Sequence, residues 1–197
     1  VIQESVRPGL KVRPAVALTF DDGPDPVWTP QVLRILAANR IRATFFVTGR
    51  NVARYPGVVR AIRSAGHAIQ NHSWNHENLG RLPFDRQRAS LIAQIREVRK
   101  LGLPFPTWFR PPYGSFTIHT ARLARWLGMR TVVWSADPSD YRRPPARAIV
   151  RSVLAQTRPG GVILLHDGGG NRANTIAALP GIVQELLRRG YRFVALD

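Results

Sequence analysis

Two adjacent carboxylates, Asp21 and Asp22, close the segment Thr19-Phe20-Asp21-Asp22-Gly23-Pro24, directly behind an apolar run. Neighbouring carboxylates at the end of a buried strand are costly unless a cation or an arginine neutralises them. An exposed turn also uses Asp-Asp-Gly-Pro chemistry, and at this point that reading stands beside the first. His72 and His76 lie four residues apart in Asn71-His72-Ser73-Trp74-Asn75-His76. One helical turn or a tight loop can therefore aim both imidazoles at one point. A carboxylate from Asp21 or Asp22 completes a His-His-carboxylate set with open positions for water and substrate, the donor pattern of a catalytic zinc-like site. The carboxylate left over is then placed to serve as general base on water. A pair of surface or capping histidines is the competing account of His-x-x-x-His. An Asp-Asp motif closing a separate strand weighs against it.

Three more polar stretches follow: Arg110-Pro111-Pro112-Tyr113-Gly114, then Trp134-Ser135-Ala136-Asp137-Pro138-Ser139-Asp140-Tyr141, then Leu164-Leu165-His166-Asp167. Each comes just after a strand-like segment. Strands are expected over residues 15–20, 43–48, 67–71, 107–110, 131–134, 161–165 and 191–196. Helices are expected from Thr29-Pro30, over 56–65, from a cap at Asp85 to a stop at Gly102, and over 117–127, 144–156 and 174–189. The last of these bends or restarts at Pro180. Strands alternating with helices through short connections predict a parallel α/β fold. Seven strands with a helix after each of the first six favour a barrel over an open sheet, although periodicity alone does not separate the two. In a parallel barrel the carboxyl ends of the strands share the face that carries the active site. All five motifs would then converge without further assumption.

The composition narrows the chemistry further. With no cysteine, a metal site has to be built from histidine and carboxylate, and the chain holds 5 His and 12 Asp and Glu. The net charge of +17 comes almost wholly from arginine, since Lys11 and Lys100 are the two lysines among 29 basic residues. Such a balance attracts anionic partners, among them an acidic cell-wall polymer. The arginines are nevertheless scattered through helical segments, without a basic run or a nucleic-acid motif, so nucleic acid is not an expected partner. Residues 1–13 lack the apolar stretch of a signal peptide and read as an N-terminal extension to one domain over 14–197.

The Thr-Phe-Asp-Asp-Gly-Pro, His-Ser-x-x-His and Arg-Pro-Pro-Tyr motifs, in this order and spacing, resemble the polysaccharide deacetylase family. That family is also called the NodB-homology domain or carbohydrate esterase family 4. The resemblance runs from about residue 15 to residue 196 and implies a distorted (β/α)7 barrel. It implies Asp21 as catalytic base, with Asp22, His72 and His76 as ligands of one divalent metal. Zn2+ is first choice for that metal, with Co2+, Ni2+ and Mn2+ as alternatives. It further implies Arg110 paired with the base, and the Tyr113 backbone N–H at the oxyanion. His166 is implied as general acid oriented by Asp140, and Leu164 as an apolar wall beside the acetyl methyl. Tyr141 stands where the family usually has Trp, which points to an altered substrate preference. Trp134, with Trp74 and Trp28, can stack on sugar rings or pack the barrel.

The activity so implied is metal-dependent removal of N-acetyl groups from a polymeric amino sugar: peptidoglycan, chitin oligomers or other poly-N-acetylglucosamine. An O-deacetylase such as an acetylxylan esterase, or a catalytically weak carbohydrate-binding barrel, are the alternatives. The resemblance also implies an extracytoplasmic location. A monomer is the default for a polymer-acting domain of this size.

Overall fold

All seven residues of β1 (Ala15–Asp21) are buried, as expected of a strand covered on both faces. Its side chains alternate. Val16, Leu18 and Phe20 join the main core with the helix layer, whereas Ala17 belongs to a second cluster inside the barrel with Phe46, Val162 and Leu196. Thr19 and Asp21 continue the inward row of Ala17. The same alternation in β6 (Gly161–His166) sends Ile163 and Leu165 to the helix layer and Val162 to the interior. Leu164 and His166 follow Val162 on that interior face. Sequence period thus decides which polar side chains can meet.

A computed structural model of the chain describes residues 13–197. Apart from Arg13, the expected extension over 1–13 lies outside the described residues. The remaining strands are β2 (Thr44–Val47), β3 (Ala68–Asn71), β4 (Trp108–Phe109), β5 (Arg130–Thr131) and β7 (Arg192–Val194). All pairings are parallel, in the order β5-β4-β3-β2-β1-β6. Beyond β5 the chain bridges Ala136 to Ile163 of β6, which joins the two ends of the sheet into a distorted seven-stranded barrel. β7 pairs with Ala15–Ala17 of β1, residues whose other edge is taken by β6. It therefore fills the lower half of the β1 edge, while β2 holds the upper half at Thr19–Asp21.

The helices are α1 (Thr29–Ala38), α2 (Gly49–Arg54), α3 (Pro56–Ser64), α4 (Phe84–Lys100), α5 (Ile118–Trp126), α6 (Ala146–Gln156) and α7 (Ala173–Arg188). Two helices, not one, follow β2. α2 was not expected; with six residues it is too short to show a helical period. Asp85 does not cap α4, because Pro83 holds the N-cap position and Asp85 sits in the first turn, where its charge still suits the helix dipole. β4 and β5 are two residues each and shorter than expected, since Pro111 has no N–H for the ladder and the chain after Thr131 turns toward β6. α7 is continuous through Pro180.

Candidate active site

The carboxyl ends of the strands open into a groove of about 810 Å³, lined among others by Asp21, Asp22, His72, His76, Tyr113, Trp134, Tyr141, Leu164 and His166. Asp21 ends β1 and Asp22 turns out of it with φ 73°. His76 (φ 57°) and Tyr113 (φ 60°) also sit in the left-handed region, which costs a non-glycine residue energy. Strained backbone thus collects on the loops that line this groove.

Asp22 Oδ1 lies 3.4 Å from His72 Nε2 and 3.2 Å from His76 Nε2. The three donor atoms fall within 4.8 Å of one another. The set fits a divalent cation for four reasons. Asp22 Oδ1 is buried with no hydrogen-bond donor. His72 Nδ1 donates to the Arg110 carbonyl at 2.8 Å, which turns Nε2 toward the cluster as the nitrogen that would meet a cation. Burial penalises charge on Asp22, yet His72, His166 and His76 outweigh it and hold the carboxyl well below the usual range. For His76 burial prevails over Asp22 and lowers its pKa, which favours the neutral imidazole that a metal requires.

The loop between the two histidines is held from below. Glu77 Oε2 accepts from Ser73 Oγ, the Asn75 N–H and Ser90 Oγ at 2.8, 2.9 and 3.0 Å. The start of α2 is tied to the same loop through Gly49 N–H to the Ser73 carbonyl and Arg50 N–H to the Trp74 carbonyl. Trp74 packs against Gly49, where a Cβ would meet its ring at 2.4 Å. Trp74 is thus a packing residue outside the groove lining, Trp28 also lies outside that lining, and Trp134 is the tryptophan within it.

Arg110 has no solvent exposure, and its Nη1 donates to Asp21 Oδ1 and to Thr19 Oγ1 at 2.7 Å each. Its guanidinium lies 4.1 Å over the Phe46 ring, which gives the buried cation a second favourable neighbour. Across the β1–β6 ladder Asp21 is in register with His166. His166 Nδ1 donates to Asp140 Oδ1 at 2.6 Å. Asp140 Oδ2 accepts the His166 backbone N–H at 3.0 Å and the Thr175 hydroxyl at 2.7 Å. Burial would lower the His166 pKa, but Asp140 overrides it, with help from Asp22 and Asp21, and pushes it up to about 9.

Tyr113 is exposed and meets the edge of His76, with ring centroids 4.5 Å apart. Tyr141 meets His166 in the same edge-on manner at 5.7 Å, so it covers the imidazole at the position where the family usually has Trp. Leu164 is buried beneath the groove.

Sequence reasoning missed four residues that hold this arrangement: Thr19, Asn51, Glu77 and Thr175. Asn51 Nδ2 donates to the Asp22 carbonyl at 2.8 Å. Thr19 lies in the Thr-Phe-Asp-Asp motif itself, and its inward parity with Asp21 was a usable signal. Thr175 sits on α7, 35 residues from Asp140, and nothing local marks it.

The description "Polysaccharide deacetylase" belongs to a family model that matches residues 11–132. A peptidoglycan-N-acetylglucosamine deacetylase of Bacillus cereus is 39% identical over 184 residues, covering 92% of this chain and 86% of its own length. A chitooligosaccharide deacetylase of Bradyrhizobium sp. is 38% identical over 189 residues, covering 90% and 86%. A family 4 carbohydrate esterase from Streptomyces lividans, solved in complex with acetate, superposes with a TM-score of 0.87 at 33% identity, covering 93% of each chain. With the motifs, the barrel and these likenesses in agreement, the chain belongs to the polysaccharide deacetylase family, carbohydrate esterase family 4.

Proposed function

We propose that this protein is a metal-dependent hydrolase that removes N-acetyl groups from a polymeric amino sugar. The observation that carries the reading is the β1–β6 register. It sets Asp21 beside His166 on the interior face, with the Asp22, His72 and His76 donors at the same rim. Two groups able to move protons thus flank one cation-fitting cluster.

Asp22, His72 and His76 would hold one divalent cation, with zinc the first choice for this mixed nitrogen and oxygen set. When bound, such a cation supplies Lewis acidity, lowering the pKa of water and polarising the acetamide carbonyl. Asp21, fixed by Arg110, takes a proton from water as the oxygen bonds to the carbonyl carbon. The Tyr113 backbone N–H, presented by a left-handed turn, stabilises the resulting oxyanion. His166 then delivers the proton on Nε2 to the leaving nitrogen as the C–N bond breaks, giving acetate and a free amine. An amide nitrogen leaves poorly unless protonated, and a histidine held cationic by Asp140 meets that need. Leu164 offers the acetyl methyl an apolar contact, and Tyr113, Trp134 and Tyr141 offer faces for sugar rings.

Peptidoglycan and chitin oligomers are the substrates we favour, since relatives named for both are among the proteins most similar to the chain. Polymers of this kind lie outside the cytoplasm, and we infer that the protein works there as a monomer. No helix among the described residues is long and apolar enough to cross a membrane.

Acetate release from chitin oligomers, peptidoglycan and acetylated xylan, with chelator-stripped protein and with zinc or cobalt restored, tests the proposal. Metal-dependent release from either amino-sugar polymer supports it. Release from xylan alone would make the protein an O-deacetylase, and failure to bind metal would refute the site.

A further inference from the structure

Of the three arginines that line the groove, Arg172 is buried and donates to the Gly168 and Gly169 carbonyls, which leaves two exposed cations that the reaction above does not use. Arg50 and Arg54 line it from α2, four residues apart and therefore on one face of the helix, with Val52 buried behind them. Both side chains are exposed. Arg50 Nη1 donates to Asn75 Oδ1 at 3.2 Å, a neutral partner next to the ligand histidine His76. The Arg54 guanidinium lies 5.2 Å from the centre of the Tyr55 ring, another groove residue.

Neither arginine has a carboxylate partner among the described residues, where Arg42, Arg110, Arg188 and Arg189 make the arginine ion pairs. The groove is not short of acids. Asp21, Asp22, Asp25 and Asp137 all line it. Each is engaged elsewhere: Asp21 with Arg110, and Asp22 with the two imidazoles. Asp25 Oδ1 accepts from the Val27 and Trp28 N–H groups, and Asp137 Oδ1 from the Ser139 N–H. Two guanidinium groups therefore face the groove without an acid to answer them. The backbone beneath them is fixed to the metal-ligand loop through Gly49 and Arg50.

We propose that Arg50 and Arg54 form a subsite for a carboxylate carried by a sugar next to the one that loses its acetyl group. On the deacetylase reading, from which this follows, the preferred polymer is an anionic glycan. A planar guanidinium pairs with a carboxylate through two parallel N–H donors, a geometry that neutral chitin cannot use. The gain lies in binding of a remote group, so it falls on KM more than on kcat.

The test compares kcat/KM for three soluble oligomers on the zinc-loaded protein. One is the neutral N-acetylglucosamine tetramer. The second alternates N-acetylglucosamine with its 3-O-lactyl ether as the free acid. The third is the same fragment with each lactyl carboxylate converted to the carboxamide. The acid form is expected to exceed the carboxamide by roughly five- to tenfold at low salt, a ratio that shrinks in 0.5 M sodium chloride. In the Arg50→Gln/Arg54→Gln double variant that ratio falls close to one. In Arg147→Gln, an exposed arginine on α6 outside this groove, the ratio stays as in the unsubstituted protein. Zinc stoichiometry measured on each variant separates a lost subsite from a lost fold. Equal rates on acid and carboxamide, or a preference that survives the double substitution, would overturn the subsite while leaving the deacetylase reading intact. Absence of acetate release from all three would overturn the deacetylase reading and the subsite together.

Discussion

Replacing Asp140 by Asn separates the charge of the His166 partner from its shape. Asp140 Oδ2 accepts the His166 backbone N–H and the Thr175 hydroxyl, and the Asn carbonyl can keep both. The amide nitrogen then faces His166 Nδ1, where a carboxylate oxygen sits at 2.6 Å. An NH2 group cannot accept from Nδ1–H, so the cationic imidazole loses its partner and meets a donor instead. Burial, which already opposes the charged form, is then less opposed. The pKa is therefore expected to fall from about 9 toward the ordinary 6.5, with Asp22 and Asp21 still opposing burial. At pH 8 a group of pKa about 9 is roughly nine-tenths protonated and one of pKa 6.5 roughly 3% protonated, a loss of about thirtyfold in the acid form.

The assay is a pH profile of kcat on chitin oligomers at fixed metal loading, because Asp21 and Asp22 also raise the His166 pKa. The alkaline limb should move down by more than two pH steps, with most of the rate recovered near pH 5.5. NMR titration of the His166 ring, one of 5 histidines, reads the same shift without turnover. The sign for stability follows. With the folded pKa above the unfolded one, the His166–Asp140 pair contributes stability that is fully present below pH 6.5 and lost as pH rises through about 9. An alkaline limb that stays in place in Asp140→Asn while the ring pKa falls would refute the assignment of His166 as acid, and a ring pKa that does not move would refute Asp140 as the group that raises it.

Asp22→Ala should abolish stoichiometric metal binding, whereas Asp21→Asn should keep the metal and lose about 10²- to 10⁴-fold in kcat; the reverse pattern, read by metal analysis and acetate release, exchanges the two roles. Arg110→Met leaves the buried Asp21 carboxylate without its cation and should cost about 3–5 kcal/mol in chemical denaturation, since Arg110 is wholly buried. Asp167 is held up to about 7 chiefly by burial, so its contribution to stability is present below pH 3.8 and lost as pH rises through about 7. Asp167→Asn should therefore gain on the unsubstituted, metal-free protein between pH 4 and 8 in thermal melts, and parallel pH dependences of the two would refute this.

Much of this arrangement is legible in the sequence, because strand parity and chain order are written locally. The apolar run ending in Asp21-Asp22, the four-residue spacing of His72 and His76, and the Leu164-x-His166 parity each place a side chain on a face. What the sequence left unread is tertiary. The Arg110 to Asp21 contact spans 89 residues, and its assignment came from family likeness and not from spacing. Thr175 reaches Asp140 from a helix whose period explains its buried face but not that hydroxyl. α2 escaped because its start is set by hydrogen bonds to Ser73 and Trp74, residues distant in sequence, and not by a pattern of its own. The short β4 and β5 reflect a barrel that closes through a single bridge at Ala136, a geometry no local propensity encodes.

The position of β7 also bears on the order in which the molecule can assemble. Among the seven strands of the barrel Arg192–Val194 is made after the other six, yet it supplies the partner for the lower edge of β1. Until it arrives, Ala15–Ala17 presents unpaired N–H and C=O groups on that side, a template for wrong pairing between nascent chains. Leu196 then ties the segment after β7 in place, its N–H donating to Thr44 Oγ1 at 2.8 Å and its carbonyl accepting from Gln70 Nε2 at 2.6 Å. The strand that carries Asp21 thus precedes the other six in the barrel and is fully paired only when the seventh has been delivered.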